Sequence, residues 1–456
     1  FHEYIARSCF LLQQGNFVGD VAFYYGDKAP NFVPPKHIPS SLGEGYDYDV
    51  VNSEVILNKM TVKNGKIYLP HGQFYEVLVL PGETAINPQV LAKLEKMVLA
   101  GATVIGTRPN RAYGLKDQAA EKNIQTLAAR LWTDVDGQTK KERRYGLGKI
   151  IQGKTIREVL TEKGINPDFE FRRIKDDSLD YIHRRTAGED IYFIRNKTKR
   201  SYTGTAGFRV KGKQPEIWFP DNGEQYPLKE FRMNKNATEV LLSLPPEGSC
   251  FIVFRRPVSS SPAPGVVANE GSEYVYHSAG LSPLSNEFLE ISNPWTRRFS
   301  FQSGLPVSDT VSTLQSWHES SDDHIRHFSG MVSYQTTFEK PVNHSAGQLY
   351  WLELNRVREV AEVYLNGERL GYHWHPSHRF NITDKIKPGK NYLVVNVVNT
   401  INNFLIGESK KPADYRESRS NITRLPNAWS KPFAEAPLLE SGLLGPVRVR
   451  WIAETQ

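Results

Sequence analysis

Two cysteines in 456 residues, Cys9 and Cys250, are too few and too far apart for a disulfide framework or a thiolate metal site. One falls in a helix-like stretch and one in a strand-like stretch, so both are expected to be buried free thiols. No run of about 18 apolar residues occurs, which excludes a membrane-spanning helix. No signal peptide is present. The chain opens on Phe1 within a helical pattern, so its start reads as a cut inside a longer protein. No G-x-S-x-G elbow and no G-x-G-x-x-G fingerprint is found, which argues against a serine hydrolase and a dinucleotide enzyme. The net charge of +7 is spread along the chain, and its densest run is Lys140-Lys141-Glu142-Arg143-Arg144. Without a recognition motif or a basic face, no nucleic-acid partner is expected.

What is present is a chain long enough for about three domains. Its hydrophobic content of 39% is sufficient to bury real cores. Glu3 to Gly15 carries a helical stripe of Ile5, Cys9 and Leu12. Val77 to Leu80 is an uninterrupted apolar run, as in a parallel strand covered on both faces. Asn87 and Pro88 open a helix that Gly101 closes, with Val90, Leu91, Leu94, Met97 and Val98 on its buried stripe. Strands at Val18–Tyr25, Thr103–Gly106 and Lys149–Ile151 alternate with helices from about Lys116 to Trp132 and from Thr155 to Lys163. This alternation predicts an open parallel α/β sheet.

From Pro167 the period changes to two. Asp180–Asn196, Gly204–Val210, Glu216–Phe219 and Cys250–Phe254 read as a small antiparallel sandwich. Ser259-Ser260-Ser261-Pro262 marks a linker. In the last block Tyr350, Leu352 and Leu354 are expected to face inward, with the residues between them facing solvent. Asn366-Gly367 predicts a type I′ hairpin. The expected division is 1–170 α/β, 171–257 small sandwich, 258–285 linker and 286–456 larger sandwich.

Several patterns invite a chemical reading. Gly148 to Thr155 satisfies the phosphate-loop expression, but Ile150-Ile151 sits where the loop should be and charged residues precede it. His318, Asp322, Asp323, His324 and His327 crowd one short stretch, which reads as a surface loop rather than a metal site. Glycosidic cleavage needs two carboxylates. Glu44, Asp47 and Asp49 lie in a loop rich in Gly and Tyr, yet nothing marks a catalytic pair among them. His373-Trp374-His375 follows the hairpin, where a loop can offer an aromatic face to a sugar. The candidate carbohydrate contacts are therefore Tyr46, Asp47, Asp49, His373, Trp374 and His375, with no catalytic or metal residue assigned.

From Phe328 on, the chain resembles the sugar-binding-type sandwich of glycoside hydrolase family 2. The resemblance rests on Phe328-Ser329-Gly330, Ala361 to Gly367, Trp374 with Pro376, Asn381-Ile382-Thr383, Pro388 to Leu393, Val397 to Thr400, Asn403 and Gly442 to Val447. Phe404 stands where that family has Arg. The front half resembles the segment that follows the catalytic barrel in family 106 α-L-rhamnosidases. It does so through Tyr4 to Cys9, Val21 to Gly26, Gly45 to Asp49, Leu78 to Pro81, Tyr145 to Lys149 and Pro167 to Glu170.

Taken together these resemblances imply an amidotransferase-like open α/β domain, a small β-sandwich and a C-terminal jelly-roll, galactose-binding-like sandwich. They imply the accessory C-terminal region of a bacterial, extracytoplasmic rhamnosidase, itself inactive. The catalytic carboxylates, and calcium as the parent's cofactor, would lie in a preceding barrel on which this region packs; no cofactor is expected in this chain. The partner would be the parent's glycan substrate. A family 2-like β-glycosidase and a stand-alone carbohydrate-binding or scaffold module are the alternatives.

Overall fold

The computed structural model describes residues 1–28, 39–113, 118–172, 178–258, 273–277, 280–300, 307–341, 347–375, 379–418 and 432–452. Strand dominates, in several separate sheets. The Ser259–Pro262 run and Pro376 lie outside the described residues.

The first unit is a six-stranded sheet in the spatial order Glu142–Tyr145, Gly148–Ile151, Thr103–Ile105, Val77–Val79, Val21–Tyr24, Tyr48–Val51. All pairs are parallel except the outermost, where Glu142–Tyr145 runs against Gly148–Ile151. Strand side chains alternate between faces. Ala22, Leu78, Val104 and Ile150 therefore meet the helices Ser53–Asn58, Pro88–Leu99 and Gln118–Leu131. Val21, Val77, Ile105 and Ile151 meet the helix Ile156–Glu162. The helix signals act as expected: the Asn87 side chain accepts from Gln89 N–H at 2.8 Å, and Thr155 with Glu158 forms a capping box.

The middle unit packs a six-stranded antiparallel sheet on a four-stranded one. Tyr192, Ile194, Phe208, Leu242, Ile252 and Phe254 lie in the core between them. Two departures from the expected division follow from pairing. Phe169–Phe171 pairs with Tyr202–Phe208 and so belongs to this sandwich. Asn16–Phe17 pairs with Leu179–Arg185, and Leu11 and Leu12 of the opening helix His2–Leu12 pack on Ile191, Phe251 and Val253. The chain thus starts on the middle unit before it builds the parallel sheet. Cys9 is exposed rather than buried, because the helix has only one covered side, whereas Cys250 is a buried free thiol in the sandwich core.

The expected linker is not wholly irregular, since Tyr274–His277 and Gly280–Pro283 form an antiparallel hairpin. The hairpin covers the final sandwich, placing Val275 and Leu284 against Trp351. For this reason all four residues of the strand Tyr350–Glu353 are buried, and Trp351 and Glu353 do not face solvent. Glu353 accepts from Arg379 Nε at 2.6 Å and Arg450 Nη1 at 3.3 Å, and Glu273 binds the same two guanidinium groups.

The final sandwich sets a six-stranded sheet against a four-stranded one around Trp295, Phe299, Trp317, Tyr334, Leu352, Val363 and Val395. Trp317 Nε1 donates to the Tyr334 hydroxyl at 2.6 Å, which answers the polar end of a buried indole. Asn366 and Gly367 both have positive φ, 54° and 84°, as the type I′ turn demands. Asn366 also donates to Lys385 O and accepts from Tyr392 N–H at 3.0 Å. Asn366→Ala removes these bonds and leaves an alanine at positive φ. It should cost about 2 kcal/mol in chemical denaturation at unchanged m-value.

Candidate functional site

The densest buried chemistry lies where the first two units meet, at the amino ends of the parallel strands. Asp20 immediately precedes the strand Val21–Tyr24, and Glu76 precedes Val77–Val79. Arg209, just past the strand Tyr202–Phe208 of the sandwich, reaches across and donates to both Asp20 oxygens at 3.0 and 3.1 Å. The same guanidinium lies 3.3 Å from Asp168.

His183 occupies a core position of the strand Leu179–Arg185 and is fully buried. Its Nδ1 faces Asp168 at 2.9 Å and its Nε2 faces Asp190 at 3.1 Å. A neutral imidazole has one N–H, so two carboxylate partners favour the doubly protonated ring. Burial opposes that charge, but Asp168 and Asp190 outweigh it and raise the His183 pKa. Burial likewise opposes the charge of Asp168, and His183 and Arg209 overcome it, so this acid stays below its usual range. Asp190 is also held low against burial, by His183, Arg185 and Lys213. Tyr192 stacks on His183 at 3.8 Å between centroids and donates to Asp168 at 3.0 Å.

Asp20 behaves oppositely. Burial pushes its carboxyl up to about 6, Arg209 pulls it back, and the nearby Asp168 and Glu76 charges raise it further. A cleft acid near neutrality invites a general-acid reading. Its geometry argues against one, since both oxygens are occupied by one guanidinium and the residue is only 6% exposed. Glu76 is tied in the same way, to Lys66 at 2.8 Å and Lys163 at 3.8 Å.

Above this network opens a cleft of about 820 Å³, walled by the segments around Phe17, Phe74, Ile165, Ala187 and Lys211. The opposite, carboxyl end of the sheet is where open α/β folds usually bind ligands. There Asp27 accepts from the hydroxyls of Tyr24 and Ser53 and from Asn87 N–H, so its described bonds are all internal.

The six residues singled out for carbohydrate contact are not brought together. Tyr46 is buried, donates to Ile165 O at 2.9 Å and carries Arg157 against its ring. Asp47 is buried and accepts from Tyr48 N–H. Asp49 accepts from Gln73 Nε2 at 2.6 Å and the Tyr75 hydroxyl at 2.8 Å. A sugar cannot stack on Tyr46 or meet the Asp47 carboxylate while this corner is folded.

The second group forms a joint between units. Trp374 packs edge-on against Phe1 and Tyr4, and His375 meets Asp221 of the middle sandwich at 2.7 Å. His373 packs on Phe380, and burial, with the neighbouring His375 charge, pushes its pKa down to about 4.

In the histidine-rich stretch Asp322 caps a short helix through His324 N–H, and Arg326 binds Asp323. No group of three or more His, Cys, Asp or Glu suited to a metal is found among the described residues. In the phosphate-loop pattern Gly148–Ile151 is a strand, and the Lys154 ammonium is held by Glu142 at 2.7 Å and Glu162 at 2.8 Å.

The sequence reading missed Asp20, Asp168, His183, Asp190 and Arg209. One signal was available, a histidine at an inward position of an alternating strand between Tyr181 and Arg185.

Comparison with known proteins gives four findings. The family model described as alpha-L-rhamnosidase, of glycoside hydrolase family 106, matches residues 1–232. The model described as glycosyl hydrolase 2 galactose-binding domain-like matches residues 320–429. A rhamnosidase structure from Novosphingobium sp. PP1Y superposes with a TM-score of 0.81 at 30% identity, covering 98% of this chain and 40% of that one. A putative beta-glucuronidase of Formosa agariphila is 25% identical over 684 residues, which takes in 100% of this chain and 57% of the relative. The chain therefore spans little more than half the length of one relative and less than half of the other. No helix among the described residues is long and apolar enough to cross a membrane.

Proposed function

Because the chain belongs to the glycoside hydrolase family 106 α-L-rhamnosidases, we propose that it is the accessory, non-catalytic region of an enzyme releasing terminal rhamnosyl units from glycans. The observation that carries this reading is the superposition on a rhamnosidase at a TM-score of 0.81 over 98% of this chain but 40% of that one. The catalytic carboxylates and any calcium would then belong to a barrel outside these residues.

The state of five buried acids supports the assignment. Asp20, Glu76, Asp168, Asp190 and Glu353 are all engaged by cations, which leaves none of them free as acid or nucleophile. In this reading the final unit is a galactose-binding-like jelly roll that props the barrel, and the parallel sheet is an amidotransferase-like spacer. The parent acts outside the cytoplasm, where large glycans are met. The six residues first considered for sugar contact serve packing instead.

A second reading, a β-glucuronidase-like specificity, is favoured by the Formosa relative, a putative beta-glucuronidase. Both readings are tested by offering p-nitrophenyl α-L-rhamnoside and p-nitrophenyl β-D-glucuronide to this chain and to the complete enzyme. Rhamnoside hydrolysis by the complete enzyme alone is expected. Faster glucuronide turnover would transfer the assignment, and turnover by this chain alone would overturn the accessory role.

A further inference from the structure

The cleft of about 820 Å³ between the parallel sheet and the middle sandwich lies within the size range of small-ligand sites, roughly 300–1,000 Å³. Stretches around Phe17, Phe74, Ile165, Ala187, Lys211 and Asn236 converge on it, so it is a product of how the two units dock. It has room to spare: at Gly164, in its wall, an added Cβ would have nothing within 4 Å.

Its charge is unbalanced. Lys66, Arg185, Arg209 and Lys211 line it against two acids, Asp20 and Glu76. Both acids are buried and already neutralised by Arg209 and Lys66, and Arg185 is engaged by Asp190 at 2.6 Å. Lys211 is exposed and has no ion-pair partner among the described residues. The half-buried rings of Phe17 and Phe74 add apolar surface beside these cations.

We propose that this cleft binds an anionic sugar residue, a uronate or a sugar sulfate. Lys211 would receive the anion, with Lys66 and Arg185 remaining on Glu76 and Asp190, while the Phe17 ring covers the apolar face of the pyranose. Ala187, exposed on the sandwich side, lines the cleft. That the ligand is a sugar rests on the family reading above; that it is an anion rests on the cleft alone.

The test is calorimetric titration of the 456-residue chain with digalacturonate, galactose 6-sulfate and neutral galactobiose. It reads binding without turnover, so the absence of rhamnosidase activity cannot mask or mimic the result. At least one anionic probe should bind about tenfold or more tightly than galactobiose, and which one binds identifies the anion. Ala187→Trp, which adds bulk to the cleft wall, and Lys211→Glu, which reverses its charge, should each weaken binding by about tenfold or more. Lys199→Glu, in an exposed turn of the same sandwich, should leave it unchanged. The proposal is overturned if neither anion binds, if galactobiose binds equally well, or if both cleft variants titrate like the parent. Equal loss from Lys199→Glu would reduce the effect to net charge and overturn it as well. A thermal melt of each variant shows that it is folded before it is titrated.

Discussion

Arg209→Ala should destabilise the chain by about 3–5 kcal/mol at pH 7, the usual consequence of stripping one partner from a buried ion pair. Arg209 is the only cation within bonding range of the Asp20 carboxylate among the described residues, and it also lies 3.3 Å from Asp168. Without it two carboxylates remain at the joint, 6% and 1% exposed, and their mutual repulsion is no longer screened. The loss should also be local in origin. Arg209 Nη1 donates to Asn166 O at 2.7 Å, so the variant also loosens the segment that links the parallel sheet to the sandwich. Arg209→Lys keeps the charge but not the two-pronged grip on Asp20, and should lose roughly half as much. Urea denaturation reads all three proteins. A change below about 1 kcal/mol for Arg209→Ala would show that water, rather than Arg209, satisfies these acids.

This joint also explains what the sequence could and could not convey. Local chemistry was legible wherever a short segment decides its own structure. Asn87, Pro88 and Gly101 bound the helix Pro88–Leu99, and Asn366-Gly367 makes the turn its φ preferences require. The strand at Gly148–Ile151 follows from the same local logic, which is why the phosphate-loop pattern could be set aside. The pairing of Asp20 with Arg209 spans 189 positions, and no periodicity reports such a contact. The alternation in Tyr350–Glu353 was read correctly as strand, but its outer face was assigned to solvent because a covering hairpin cannot be inferred from the strand itself. The burial of Tyr46 and Asp47 was hidden for a related reason. Aromatic and acidic side chains in a glycine-rich loop have sugar-binding chemistry, but their burial depends on Ile165 and Asp20, far along the chain in both directions.

The second large effect concerns pH. Asp20 is ordinarily half-ionised near 3.8, and in the fold this happens at about 6. An acid whose folded pKa is raised binds its proton more tightly in the native state. Its ionisation therefore costs stability progressively as the pH climbs from about 4 to 6, by about 3 kcal/mol in total. Asp168 and Asp190 have the opposite sign. Their pKa values are lowered, so their stabilisation is complete above the ordinary carboxylate range and is lost only as the pH falls below it. His183 acts at the alkaline side: its raised pKa stabilises the fold fully below about 6.5 and ceases to do so as pH rises through its folded value. The interval from pH 4 to 6 thus isolates Asp20 within this network. Asp20→Asn mimics the protonated acid at every pH. Stability of the parent relative to this variant should fall by about 2 kcal/mol between pH 4 and 7, most of it before pH 6.5. The cost of Arg209→Ala should shrink in parallel when measured at pH 5, where Asp20 is largely protonated. A difference between parent and Asp20→Asn that stays flat across this range would mean that Arg209 holds Asp20 ionised throughout. The joint would then be a plain ion pair, with no titrating acid at its centre.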